Sequence, residues 1–106
     1  MAVYDLVLEL MSDSVVRGVL EVSKVVGVSS GSAFVALRRL YQDGLLLRSL
    51  GVSVFVTVEW SSRNRLQVRD YRYVLRNGDG DGGVVDGVAF GSPKRETLFR
   101  NGFTNS

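Results

Sequence analysis

Two glycines, Gly27 and Gly44, bracket the stretch that most restricts how this chain can fold. Gly27 suits the left-handed position that closes a helix. Val28-Ser29 then make a tight turn, with Ser29 or Ser30 placed to cap the next helix. From there Ala33, Ala36, Leu37, Leu40 and Tyr41 recur at helical spacing, the helix runs to about Asp43, and Gly44 ends it. The residues before Gly27 are also helical by spacing. Over Leu20 to Val26, with Val19 just ahead, Val19, Val22, Val25 and Val26 face inward, while Glu21, Ser23 and Lys24 face outward. Valine is a modest helix former, so this assignment rests on the spacing alone.

The flanks add a third helix and a set of strands. Val3 to Met11 carries a stripe of Val3, Leu6, Val7, Leu10 and Met11, widened by Tyr4 and Leu8, with Asp5, Glu9 and Ser12 toward water. A helix this apolar packs on more than one side, its second partner being the C-terminal segment or another subunit. Val15 to Gly18 is a short extended link. After Gly44, Leu45 to Ser49 and Val52 to Trp60 read as a hairpin around Leu50-Gly51. In its second strand Val52, Val54, Val56, Val58 and Trp60 alternate with polar residues, Phe55 excepted. Beyond a turn at 61–64, Leu66 to Arg76 fits a strand, favoured by its Tyr and Val content, or a helix. Asn77 to Gly83 is a glycine-aspartate loop, Val84 to Phe90 a returning strand, and Ser92-Pro93 the opening of a short helix ending near Gly102. Asn77, Asp79 and Asp81 match the start of a calcium loop, but Val88 stands where such a loop needs a bidentate Glu. The expected class is α+β: a three-helix domain with a hairpin over residues 1–60, then a basic, β-rich, partly flexible extension over 61–106.

Composition narrows the chemistry. The 106 residues include no cysteine and no histidine, so thiol nucleophiles, cysteine metal sites and imidazole bases are all missing. No carboxylate pair stands out at a catalytic spacing, and the expectation is a protein without catalytic site, metal or cofactor. Asp5 and Glu9 break the apolar start that a signal peptide would need, and no apolar run has membrane-spanning length. An intracellular, cytoplasmic protein with no membrane partner is expected. The lack of isoleucine and the excess of arginine over lysine fit a GC-rich genome, and the lack of oxidisable and labile residues is compatible with a thermophile. The host can be cellular, archaeal included, plasmid or viral. Charge is uneven: residues 1–60 hold five basic and six acidic side chains, the remainder eight basic and five acidic.

The stretch Gly27 to Leu46, GVSSGSAFVALRRLYQDGLL, resembles the motif of MarR-, ArsR- and related winged helix-turn-helix regulators. Gly27, Val28 and Ser29 match the family's turn, and Leu37, Leu40, Gly44 and Leu45 its helix end; the resemblance covers about residues 3–60. It implies a β-hairpin wing, double-stranded DNA as partner, a homodimer and a role in transcription regulation. Carried over by position, Ser30, Gly31, Phe34 and Val35 fall where the family reads bases. Ser29, Ser32 and Arg39 fall at backbone contacts, and Arg48 and Ser49 at the wing tip. Arg38, like Arg39, lies on the outward side of its helix. The chain departs from the family at Phe34 and Val35, where polar or basic residues are usual. An outward Val35 can touch thymine methyls or mark a protein-binding face, so a protein-interaction module is the alternative reading. A second candidate is the series Arg63, Arg65, Arg69, Arg72 and Arg76, interleaved with Tyr71 and Tyr73. It is either a phosphate-contacting ribbon that extends the wing or a solvated face paired with nearby acids.

Overall fold

The computed structural model describes residues 2–60, 63–78, 80 and 82–93. Helix α1 (Val3–Met11) is followed by a two-residue strand, β1 (Arg17–Gly18), which leads directly into α2 (Val19–Val26); α3 (Ser30–Gln42) comes next. Gly27 closes α2 at φ 82°, and the N–H groups of Gly27 and Val28 both bond the Ser23 carbonyl. The turn swings α3 through 112° relative to α2. Gly44, at φ 83°, ends the third helix in the same left-handed way.

Six further strands follow: β2 (Leu46–Ser49), β3 (Phe55–Glu59), β4 (Arg65–Arg69), β5 (Arg72–Leu75), β6 (Gly82–Val85) and β7 (Val88–Gly91). They form an antiparallel five-stranded sheet in the order β1-β5-β2-β7-β6 and a separate hairpin, β3-β4. The molecule is thus α+β, with three helices against one side of the main sheet.

The strand pairing differs from the sequence expectation. Leu45–Ser49 and Val52–Trp60 do not form a hairpin with each other: β2 pairs with β5 and β7, and β3 with β4. The reason lies in β2, where Leu46, Leu47 and Ser49 are all buried. A strand covered on both faces is central and needs a neighbour on each side. Val52 and Val54 precede β3 rather than belonging to it, and Val54 is exposed, as is Phe55. Residues 66–76 are neither one strand nor a helix; they break at Asp70-Tyr71 into β4 and β5, which join different sheets. The Val15–Gly18 link ends in β1, and Val25 faces solvent rather than the core. Most of the helix expected from Ser92-Pro93 to Gly102 lies outside the described residues, as do Asp79 and Asp81.

The core gathers Val7 and Met11 of α1, Val19 and Val22 of α2, and Ala33, Ala36, Leu37, Leu40 and Tyr41 of α3 with Leu46, Val58 and Tyr73. Each large apolar side chain removed fully from water contributes about 1.5–3 kcal/mol. Tyr73, from beyond Trp60, therefore belongs to the packing of the same unit as the helices. Burial pushes the Tyr73 phenol up to about 12, against the pull of the nearby Arg48 charge. A second cluster, Leu47, Val74 and Phe90 with Val16 and Val85, covers the other sheet face. The apolar side of α1 is used within the chain, on α2 and α3, with Tyr4 donating to Asp43 at 2.7 Å. No single helix among the described residues is long and apolar enough to cross a membrane.

Candidate nucleic-acid interface

At about 100° per residue, Gly31, Val35, Arg38 and Gln42 share one side of α3, opposite Ala33, Leu37 and Leu40. That outward side has two unlike halves. Toward the C-terminus Val35, Arg38, Arg39 and Gln42 are exposed. Toward the N-terminus the chain covers itself. The Trp60 indole lies where a Gly31 Cβ would be, so that a Cβ there would overlap the ring, and Gly31 is buried. Beside it the Glu59 N–H donates to the Ser30 hydroxyl oxygen at 2.8 Å, while that hydroxyl faces the Glu59 carbonyl at 3.5 Å.

The cap serines are also engaged. Ser29 Oγ accepts from the Ser32 N–H at 3.1 Å and donates to Ser32 Oγ at 2.9 Å, which satisfies one of the free amides at the helix start. Phe34 is half-buried against the core. Of the α3 residues singled out by the resemblance, the structure therefore leaves Val35, Arg38 and Arg39 open. It engages Ser29, Ser30, Gly31, Ser32 and Phe34 in packing and capping.

Arg48 and Ser49 do not stand at a hairpin tip. They lie in the central strand β2, because the loop expected after them is replaced by the whole β3–β4 excursion. Ser49 is buried and accepts the Arg72 N–H at 2.9 Å. Arg48 lies between Tyr41 and Tyr71, with ring centroids 4.1 and 4.0 Å away.

The arginine series divides between the two sheets. Register places Phe55, Thr57 and Glu59 opposite Arg69, Gln67 and Arg65 on the outer face of the β3–β4 hairpin, and all six are exposed. Arg65 meets Glu59 at 3.4 Å, both well exposed, a pairing of little energetic weight. Arg69 donates to the Val52 carbonyl at 2.6 Å and lies 5.1 Å from the Phe55 ring centroid. Arg63, beside the Trp60–Asn64 backbone bond that closes the hairpin, is exposed. Arg72 instead reaches α2, 4.0 Å from Glu21, and Arg76 bonds the Gly80 and Gly44 carbonyls. Of the five arginines, Arg63, Arg65 and Arg69 are exposed on the β3–β4 hairpin, whereas Arg72 and Arg76 belong to the other sheet and its neighbours.

Trp60 escaped sequence reading as part of the site, since alternation marks it only as one more inward strand residue. The signal available was a glycine, Gly31, on the outward side of a first helical turn, where no close packing is expected. Comparisons of the chain with protein-family models, curated proteins and solved structures return no match.

Proposed function

We propose that the chain is a winged helix-turn-helix domain that binds double-stranded DNA and acts as a small transcriptional regulator, occupying its site without performing chemistry. The observation that carries this reading is the crossing of α2 and α3 at 112° with Arg38 and Arg39 exposed on the second helix. That is the arrangement by which helix-turn-helix proteins present a helix to DNA. The β1-β5-β2 part of the sheet supports it, with β2 and β5 as the strands of the wing and β3–β4 carried between them. Arg63, Arg65 and Arg69 supply positive charge that residues 1–60 lack. A homodimer on two half-sites about one helical turn apart belongs to this reading.

Fluorescence anisotropy of a short labelled duplex over a salt series tests it. If Arg38, Arg39, Arg63, Arg65 and Arg69 each neutralise a phosphate, log K falls against log salt with a slope of roughly −4 to −5. No binding at about 50 mM salt, or a slope near zero, overturns the proposal. A second reading, a protein-interaction module, draws support from the closed start of α3 and from the exposed Val35. It is the reading left standing by a flat salt series.

A further inference from the structure

We infer that Gly31 and Trp60 form a lock that removes the first turn of α3 from DNA reading and hands its place to the closed end of the β3–β4 hairpin, where Arg63 meets the phosphate backbone. The inference rests on the DNA-binding reading above.

Three contacts hold the hairpin on the helix. Val58 is fully buried in the main core, the Ser30 hydroxyl holds the Glu59 backbone, and Trp60 fills the space that the missing Gly31 side chain leaves. Lifting the hairpin returns Val58 to water and strips the Glu59 N–H of its acceptor, so it stays in place when DNA binds.

The consequence is geometric. A major groove about 12 Å wide admits one helix, whose diameter with side chains is about 10–12 Å. With an indole and a strand laid on its outward side, the start of α3 is too thick to enter. The exposed groups at this end are then those of the hairpin: Arg63 makes no ion pair among the described residues and follows directly on Trp60-Ser61-Ser62. The partner chemistry this fits is the duplex phosphate backbone, read together with Val35 and Arg38 one and two turns further along α3.

Trp60 is the only tryptophan in the chain, so its emission reports the lock directly. In wild-type protein titrated with duplex, the emission maximum is expected not to shift to the red. Gly31→Ala forces the ring off α3, and its emission shifts to the red in the free protein while duplex affinity falls roughly tenfold as the hairpin contacts are lost. Arg63→Ala keeps wild-type emission, weakens binding, and makes the salt slope shallower by about 0.9.

Two results overturn the inference while leaving DNA binding intact. One is a Gly31→Ala protein that binds as well as or better than wild type, and the other is a red shift of wild-type emission on adding DNA; either makes the hairpin a removable cover. Should circular dichroism show Gly31→Ala unfolded, wild-type emission and Arg63→Ala decide alone, and an Arg63→Ala salt slope equal to wild type overturns it. Failure of wild-type protein to bind duplex at all sinks the DNA-binding reading itself.

Discussion

Arg48 ties three parts of the chain together through one flat cation. Its guanidinium lies between Tyr41 of α3 and Tyr71 ahead of β5, and Tyr71 meets Tyr73 edge to face, centroids 6.5 Å apart. A partly desolvated cation over an aromatic face is worth about 0.5–2 kcal/mol. Arg48→Ala is therefore expected to lower unfolding free energy by roughly 2 kcal/mol, read as a lower denaturant midpoint at unchanged slope. Arg48→Lys restores only part of this, because an ammonium does not stack flat between two rings. Duplex affinity of folded Arg48→Ala should match wild type; a protein of normal stability and weak DNA binding contradicts this placement. The sequence marks Arg48 as basic and near a turn, yet its two aromatic partners lie in other elements, and neither spacing nor charge points to them. Gly31 is a parallel case, since a glycine carries no hydropathy signal for the ring that covers it.

Hairpins β3–β4 and β6–β7 show how far periodicity carries at the level of elements. Between β6 and β7 the two-residue loop Asp86-Gly87 has φ of 53° and 79°, and Val85 pairs with Val88 across it. Two left-handed residues in succession match the right-handed twist of the strands they join, and Asp-Gly is a favoured pair there. Gly87→Ala is expected to cost about 1 kcal/mol and lower the melting temperature by roughly 4–8 °C. An unchanged melting curve argues against this turn. The single returning strand expected over Val84–Phe90 is instead split by this turn into β6 and β7, and the loop expected over Asn77–Gly83 ends earlier, because Gly82 and Gly83 already belong to β6. The helices were legible because α3 buries every one of Ala33, Ala36, Leu37, Leu40 and Tyr41. The partner of Val52–Trp60 was not, because alternation specifies which face is buried and leaves the neighbouring strand open.

For the molecule as a whole, the decisive strand is β5. It lies between β1 and β2, giving Arg17 and Arg48 the same partner, Tyr73. A chain cut after Trp60 keeps all three helices and the motif that resembles known regulators. It also loses Tyr73 from the core and the partners that β1, β2 and β3 have in β5, β4 and β7. The expected outcome is that residues 1–60 alone show no cooperative thermal transition by circular dichroism, whereas residues 1–93 do. A cooperative melt of the shorter fragment contradicts the shared core. The same feature sets the order of events when the chain folds. The helices are local and form early, but β1 and β2 wait for a strand made much later, and pairings between distant segments close slowly. During synthesis the half-finished sheet offers Leu46 and Leu47 with no neighbour on either side, which makes this interval, rather than the finished protein, the time of greatest exposure to aggregation.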